Sequence, residues 1–396
     1  MHHFILATKD AWITSGSSHI DETSFRDQNF GQDQILEVRK EFFNNTFDYP
    51  TRALISFKGT EFTKMSQSIE NGEITNPKFY LRLYEAEGNT EGTSNLSTEY
   101  KLLAQPLSQS WEEGRGKFGD DPKVTNGVSW ENRTYPDNGS ATTWSLAGSS
   151  GSSHGGAIHL NNEHPKSAVS TSVQSFSYES PDVELDISDM VKSWLSSSTI
   201  GDSAAPAGGF ANEGLLLRFS GSQETDTEKF GHLKFFSRNT HTIYTPKLEV
   251  RWDDHLPSTG SNTGSLNQLT MSGQADNYIY MMGLREFYRE SEKVKFRVGA
   301  RKRYIQKTFS TSVQTHTGSF IPEGSGSYAI KDSATDEFVV PFSGYTSMSC
   351  DSKSNYFIQW LDGFYPDRTY KILYKIKYND GQEQIYDNNF EFVIKR

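Results

Sequence analysis

Short runs in which apolar and polar residues alternate recur along the whole chain. The run FYLRLYE at 79–85 places Phe, Leu and Leu on one face, and TYKILYKIKY at 369–378 repeats the pattern with Tyr and Ile. Successive side chains of a β-strand point to opposite faces, so a period of two indicates strands with one buried face. Aromatic residues, which suit such pleated surfaces, make up 13% of the chain. The sequence therefore predicts an all-β fold.

One segment, residues 184–198, has helical rather than strand periodicity. Either Asp186 or Ser188 can cap the N-terminus of a helix there. The apolar residues that fall on one stripe of this helix are Met190, Val191, Trp194 and Leu195. The predicted fold contains this one short helix among strands.

Composition along the 396 residues predicts two domains. Residues 257–265 (PSTGSNTGS) lack periodicity and have the composition of a flexible linker. Residues 1–256 are predicted to form a jelly-roll-like β-sandwich, and residues 266–396 a smaller β-sandwich. Within the first domain, residues 134–180 are rich in Ser, Gly, Asn and Thr. This long polar insertion is interpreted either as a solvated loop or as a loop that orders against a partner.

Charge is distributed unevenly between these two parts. Residues 266–396 contain 17 basic and 15 acidic residues, a formal net charge of +2, whereas the remaining 22 basic and 35 acidic residues give −13. An acidic first part argues against general nucleic-acid binding, which needs a basic footprint.

Features that would direct the chain to a membrane or an oxidising compartment are missing from the sequence. The single cysteine, Cys350, cannot form an intrachain disulfide. The residues around it in the sequence include no base that would activate it as a catalytic nucleophile. The start MHHFILATKD lacks the basic and apolar segments of a signal peptide. No stretch approaches the ~20 apolar residues of a membrane span. The expectation is a protein made in the cytoplasm, with no membrane association.

The stretch WEEGRGKFGDDPKVTNGVSWEN at 111–132 is the best candidate for chemistry. Two carboxylates near aromatic rings could serve as acid and base in glycoside hydrolysis. The acids available are Glu112, Glu113, Asp120, Asp121 and Glu131. They lie in a segment rich in glycine and charge, not in the apolar surroundings that raise the pKa of a catalytic acid. No catalytic residue is therefore predicted, and the alternative interpretation is a structural signature at a strand edge.

Two metal sites are weighed and set aside. Asp120, Asp121 and Asn126 offer the hard oxygen ligands that Ca²⁺ prefers, but no loop template accompanies them. Three histidines spaced by five residues, His154, His159 and His164, lie in Gly/Ser-rich sequence and not on a rigid element. Ordinary loop histidines are the favoured interpretation, and no metal or cofactor is predicted.

The order of motifs in the first part resembles a known family. The motifs are TKDAWIT, NFGQDQILEV, RALISF, FYLRLYE, WEEG followed by VSWEN, DISDMVKSW, NEGLLLRF, and FFSR followed by YTPKLEVRW. Over residues 6–252 this order is similar to that of DNRLRE-type domains, β-sandwiches of surface and carbohydrate-associated proteins. The resemblance implies a non-catalytic module. It also implies a set of structural signature residues, namely Trp111, Glu113, Trp130, Asn132 and Trp194, of which Trp111 and Trp130 pack at the sandwich edge.

The C-terminal part resembles virion structural proteins of T-even-like marine cyanobacterial phages. The segments that carry this resemblance are residues 288–304, 337–376 and 385–396. It implies a non-enzymatic virion protein of the tail (baseplate periphery or fibre attachment) or the neck, located in the virion. Its partners would be other virion proteins and copies of itself. The alternative function is a carbohydrate-binding module for host-surface glycans, and a glycan depolymerase is the less favoured third.

Aromatic residues concentrate near the end of the chain. Aromatic side chains beside an arginine are typical of interface hot spots. The candidate interface residues are Tyr356, Trp360, Phe364, Tyr365 and Arg368. The alternative is that most of these rings fill the core of their own domain. The near-neutral charge of residues 266–396 predicts that this domain, and not the acidic first one, anchors the protein.

Overall fold

The computed structural model of the chain separates into two compact units. It describes residues 1–17, 23–43, 46–87, 99–145, 156, 172–177, 182–195, 211–224, 226–228, 231–272, 276–305, 309, 311–314 and 316–396. The N-terminal unit comprises Ile5–Glu73 and Lys78–Val250. The C-terminal unit comprises Arg251–Arg396 together with two short segments, Met1–Phe4 and Ile74–Pro77.

Up to residue 251, the described chain forms mostly strands. The strands are β1 (His2–Leu6), β2 (Lys9–Thr14), β3 (Ile35–Phe43), β4 (Thr46–Ser56), β5 (Lys78–Leu83), β6 (Glu85–Glu87), β7 (Glu99–Pro106), β8 (Asn132–Thr134), β9 (Thr142–Thr143), β10 (Ser172–Ser177), β11 (Val183–Asp186), β12 (Leu215–Phe219), β13 (Leu233–Phe236) and β14 (Lys247–Arg251). The helices are α1 (Thr60–Glu70) and α2 (Ser188–Leu195), with a 3₁₀ turn at Gly221–Glu224.

These strands form two main sheets. The smaller has the order β1-β14-β5-β11, and the larger has the order β10-β7-β12-β4-β3-β13-β6 with β2 also paired to β4. The pairs of the larger sheet are antiparallel. Its central strand β12 has three consecutive buried leucines, Leu215–Leu217. Because neighbouring residues of a strand face opposite ways, this sheet is covered on both faces at β12.

The sequence predicts one helix, and this prediction is wrong because it misses helix α1. Its buried face consists of Phe62, Met65, Ser66 and Ser68. Gly59 occupies the N-cap position, and no side chain caps the helix there. A stripe with two buried apolar residues and two serines, and no capping side chain, gives almost no helical signal. Helix α2 begins at Ser188, and Asp186, one of the two predicted capping residues, accepts a hydrogen bond from Ser188 N at 2.9 Å through its Oδ1.

The C-terminal unit is also built from strands. These are β15 (Asn267–Gln268), β16 (Asn277–Met282), β17 (Phe287–Arg289), β18 (Lys293–Lys302), β19 (Ser319–Phe320), β20 (Gly326–Asp332), β21 (Phe338–Val340), β22 (Ser349–Cys350), β23 (Asn355–Trp360), β24 (Arg368–Lys377) and β25 (Glu383–Lys395), with a 3₁₀ turn at Gly344–Thr346. One sheet has the order β15-β19-β18-β23-β22 with β16 on β18, and the other has the order β17-β25-β24-β20-β21.

Both sheets of the C-terminal unit contribute to one hydrophobic core. Tyr328 of β20 stacks on Phe357 of β23 with ring centroids 3.8 Å apart. Phe4, near the start of the chain, lies in the same core, 6.0 Å from the ring of Phe364. The all-β prediction is confirmed, and the finer prediction of a jelly-roll-like sandwich stays a prediction.

The predicted linker, residues 257–265, lies within the C-terminal unit. Ser258 N donates to Glu323 Oε2 at 2.9 Å, and Thr263 is buried. The division into domains of residues 1–256 and 266–396 stays a prediction.

Candidate functional site

Three tryptophans of the segment 107–144 are buried together against one face of the larger sheet. Trp111, Trp130 and Trp144, here called the tryptophan cluster, share a core with residues of three strands and of the segment itself. The other members of this core are Ala11, Ile13, Leu54, Leu107, Val128 and Leu216. The segment therefore covers the sheet, and Trp111 and Trp130 lie over a sheet face and not at a strand edge.

The polar atoms of two indoles in the cluster are satisfied. Trp111 Nε1 donates to the carbonyl of Glu213 at 2.9 Å. Trp144 Nε1 donates to the carbonyl of Ser129 at 3.0 Å. A buried indole N–H usually needs such a partner, because an unpaired donor carries the full cost of desolvation. These bonds fix the orientation of both rings.

Cationic side chains cover two rings of the cluster. Lys9 Nζ lies 4.4 Å from the centroid of the Trp111 ring and also donates to the Trp111 carbonyl at 2.6 Å. The guanidinium of Arg52 lies 4.9 Å from the centroid of Trp130. Cation–π contacts of this kind are stabilising, and here they occupy ring faces that a sugar would need. Trp111 and Trp130 are therefore not open platforms.

Glu113 ties the segment to two other parts of the N-terminal unit. Its carboxylate accepts a hydrogen bond from Asp10 N at 3.0 Å and from Arg238 Nη1 at 2.8 Å to each oxygen. Charge-assisted bonds of this geometry are among the stronger ones in proteins. Glu113 is thus engaged in an ion pair that holds the loop in place.

Asp10 is a buried carboxyl next to this ion pair. It is 1% exposed, and its Oδ2 accepts a hydrogen bond from Arg238 N at 2.6 Å. Among the described residues, its Oδ1 has no hydrogen-bond partner. Burial raises the pKa of Asp10 to about 7, against the opposing effect of the Arg238 bond. The group can exchange a proton near neutral pH, but its burial leaves no room for a substrate.

Asn29 connects four backbone groups and was not recognised from the sequence. Its Nδ2 donates to the carbonyls of Glu113 at 2.8 Å and Val128 at 2.7 Å. Its Oδ1 accepts from Gly116 N at 2.7 Å and Gly31 N at 3.2 Å. One buried amide therefore holds together three stretches of backbone.

The glycine of the WEEG motif has a structural reason in this arrangement. Gly114 has φ of 80°, and a Cβ there would lie 2.2 Å from the carbonyl oxygen of Asn126. Gly127 has φ of 103°, and a Cβ there would lie 2.3 Å from Gly114 Cα. Only glycine allows both this conformation and this approach.

The remaining signature residues, Asn132 and Trp194, lie in different places. Asn132 is buried next to the cluster; its backbone N donates to Ser129 Oγ at 3.0 Å and its carbonyl accepts from Ser129 N at 2.8 Å. Trp194 is fully buried in α2 and does not belong to the tryptophan cluster. The structure therefore brings Trp111, Trp130 and Asn132 together but not Trp194.

The residues considered for Ca²⁺ have other partners. Asp120 Oδ2 accepts from Lys117 N at 2.7 Å, and Asn126 Nδ2 donates to the Tyr135 carbonyl at 3.2 Å. Within the described ranges, no group of three or more His, Cys, Asp or Glu side chains is placed to hold a metal ion. The three histidines of the polar insertion lie outside the described residues.

Three of the five candidate interface residues, Tyr356, Trp360 and Phe364, are buried. Phe364 belongs to the hydrophobic core of the C-terminal unit, whereas Tyr356 and Trp360 lie on the outer side of their sheet beneath Lys295 and Lys293. Tyr365 and Arg368 are half-buried, and Arg368 Nη1 contacts Asp332 Oδ2 at 2.5 Å. The surface that this set offers for docking is therefore limited to Tyr365 and Arg368.

Cys350 is a buried thiol in β22. Burial raises its pKa to about 11, so the thiolate is scarce at neutral pH. This is the character of a packing residue and not of a nucleophile.

An exposed aromatic patch was also missed in the sequence. Phe118 is 54% exposed, and its ring lies 5.9 Å from the half-buried Phe25. Beneath them, Trp12 stacks on Phe30 at 3.8 Å. Asp33 fixes the patch by accepting from Phe118 N at 3.1 Å and Trp12 Nε1 at 2.8 Å. Nothing in the spacing of these residues along the chain indicates that they meet.

Comparison with known proteins gives no relative. No protein family and no curated protein matches the chain. Among solved structures, the adhesin domain of Epf from Streptococcus pyogenes aligns at 7% identity over 100% of this chain and 92% of that one, with a TM-score of 0.17. The β-glucuronidase of Parabacteroides merdae aligns at 8% identity over 99% of this chain and 36% of that one, with a TM-score of 0.16.

Neither described helix combines the length and the apolar character needed to cross a membrane.

Proposed function

We propose that this chain is a non-enzymatic structural protein of a phage particle, in the tail or the neck, that acts through protein–protein contacts. The observation that carries the proposal is the structural role of residues 111–132, the stretch of the sequence that most resembles a catalytic site. Trp111 and Trp130 are buried under cations, and Glu113 is held by Arg238. The stretch serves as a scaffold over the large sheet.

Electrostatics support this proposal over a hydrolytic one. A glycosidase needs one carboxyl whose raised pKa keeps it protonated beside the sugar, and a second that is ionised. Both oxygens of Glu113 are engaged by Arg238 Nη1 at 2.8 Å. Burial raises the pKa of Asp10, but its side chain is 1% exposed, so a sugar cannot reach it. Burial also raises the pKa of Asp33, whose two oxygens accept hydrogen bonds from Phe118 N and Trp12 Nε1.

The sequence of the C-terminal unit supports a role in a phage particle. Residues 337–376, one of the segments that resemble phage virion proteins, contain β23 and most of β24. These strands supply core residues to both sheets of the C-terminal unit, including Phe357 and Tyr374. The resemblance therefore covers residues that determine the fold of this unit and not only surface positions.

Reconstitution of particles tests the proposal. Particles produced without this chain would be incubated with the purified full-length protein and separated from unbound chain by sedimentation. The expected result is saturable binding at a fixed ratio to the major tail protein. Absence of binding, or binding that rises without saturation, would contradict a structural role.

The second candidate function is glycan binding, and the exposed Phe118 is the specific observation that favours it. The apolar face of a sugar ring can remove water from an accessible aromatic ring, and Phe118 is supported by Phe25, Phe30 and Trp12. The side chain is 54% exposed, which leaves one face available.

If the patch binds glycan, Phe118→Ala is expected to weaken affinity at least about tenfold, or about 1.4 kcal/mol. Stability should change by no more than about 0.5 kcal/mol, because the ring is exposed. Phe287, which is 53% exposed in the C-terminal unit, provides the matched control Phe287→Ala. Titration calorimetry with host-surface polysaccharide checks both. Equal affinity of the two variants, or no binding by the native chain, would reject this function for the patch.

A further inference from the structure

Positive charge in the C-terminal unit is concentrated on one strand and the loop that follows it. Residues 293–322 contain no Asp or Glu. The basic residues in this stretch are Lys293, Lys295, Arg297, Arg301, Lys302, Arg303 and Lys307. Since residues 266–396 together carry only +2, the cations gathered here are balanced by acids elsewhere in the unit.

The alternation of β18 places most of these cations on one face of its sheet. Val294, Phe296 and Val298 are buried in the core, so the residues between them face outward. In the antiparallel register, Arg301 lies opposite Tyr278 of β16 and Arg297 lies opposite Met282. Directly paired residues share a face of the sheet, so Tyr278 and Met282 lie beside these two arginines and add apolar surface to the cationic side of the sheet.

Aromatic rings cover the β16 side of this face. Tyr278 and Tyr280 stack with ring centroids 5.9 Å apart, and the Arg301 guanidinium lies 4.7 Å from the Tyr278 ring. Gly299 is paired with Tyr280, and a Cβ at Gly299 would lie 2.2 Å from Tyr280 Cζ. The absence of a side chain at position 299 lets the Tyr280 ring lie flat across the strand. We call Tyr278, Tyr280, Met282, Arg297 and Arg301, which share the outer side of the sheet, the cationic aromatic face.

Part of this face is exposed and lacks a neutralising acid. Tyr278 and Met282 are exposed. Arg297 pairs with Asp351 and Arg303 with Asp276. Of the residues that the structure describes, none forms an ion pair with Arg301 or Lys302. Large accessible rings beside such cations are typical of an interaction surface.

We infer that the cationic aromatic face docks on the acidic N-terminal unit of a second copy of this chain. The inference rests on the proposed function, in which copies of the chain assemble in a particle. Charge complementarity selects the occupant, because residues 1–265 carry −13 and the face gathers positive charge. Contact between a C-terminal face and an N-terminal unit is heterologous, and such contacts form rings when the rotation between copies closes.

Self-association of the full-length chain in solution tests this inference. Sedimentation velocity over a range of concentrations is expected to give association that weakens strongly at about 1 M salt, where the Debye length falls to about 3 Å. The variant Arg301→Glu should associate at least about tenfold more weakly. The guanidinium lies on the outer side of the sheet, so circular dichroism should show an unchanged fold.

The matched control is Lys377→Glu, which reverses one exposed cation on the other sheet of the same unit. This control should associate like the native chain. Zero-length carbodiimide cross-linking of a mixture of isotopically light and heavy chains should join Lys295, on the outer side of β18, to a carboxylate of residues 5–250 of another copy. Cross-links confined to single copies would overturn the inference.

Three other outcomes would also overturn it. They are a native chain that stays monomeric at all concentrations, equal weakening by the control variant, and a monomeric chain whose face binds a short single-stranded DNA instead. A chain present in particles at a fixed copy number that fails these tests would leave the proposed function standing. A chain that self-associates through this face but is absent from particles would reject only the proposed function.

Discussion

Replacing Trp111 by alanine is expected to lower the free energy of unfolding of the N-terminal unit by about 3–5 kcal/mol. The indole is buried between the large sheet and Lys9, and its Nε1 donates to the Glu213 carbonyl. Truncation leaves a cavity in the cluster and an unpaired buried carbonyl. Trp130→Ala should have a similar effect, since its ring lies in the same core beneath Arg52. Urea denaturation followed by circular dichroism measures both.

Phe118→Ala is the matched control for these two variants, because it removes an exposed ring from the same loop. It should shift stability by no more than about 0.5 kcal/mol. If both tryptophan variants were as stable as this control, the cluster would not be structural, and its rings would have to serve binding instead.

Asn in place of Asp10 is expected to make the N-terminal unit more stable at pH 8, by up to about 4 kcal/mol, and to change it little near pH 4. The carboxyl has a folded pKa raised to about 7 by burial, against 3.8 in an ordinary setting. Folding then favours its neutral form. That contribution is fully present below pH 3.8 and is lost as the pH rises through 7. A difference of about three pKa units corresponds to about 4 kcal/mol.

Urea denaturation at a series of pH values between 4 and 8 checks this expectation. As the pH rises from 4 to 8, the free energy of unfolding of the native chain should fall relative to that of Asp10→Asn. Asp137→Asn, which neutralises an exposed carboxylate paired with Arg115, serves as the control and should run parallel to the native chain. Parallel profiles for the native chain and Asp10→Asn would show that the hydrogen bond and charge of Arg238 hold the Asp10 carboxyl at an ordinary pKa.

Strands could be predicted because their signal is local. The run at 79–85 corresponds to β5 at Lys78–Leu83, and that at 369–378 corresponds to β24 at Arg368–Lys377. In each, a core face alternates with an outer face, so a few adjacent residues suffice to recognise the element. Helix α1 carries too few apolar residues for the same reasoning to work.

Contacts between distant parts of the chain could not be predicted in this way. Asn29 bonds to backbone groups near Glu113 and Val128, which follow it by more than eighty residues. Trp144 lies in a stretch that composition assigns to a polar loop, yet it completes the tryptophan cluster. Which rings of the C-terminal unit are core and which are surface also depends on sheet pairing, which composition does not specify.

The copy number of this chain in purified particles tests the central claim most directly. Quantitative mass spectrometry of purified phage particles would compare the peptides of this chain with those of the major tail and neck proteins. The account predicts a fixed stoichiometry that matches the symmetry of one ring or one set of attachment points and does not change between preparations. A chain that is absent from particles, or present in amounts that vary with purification, would contradict it.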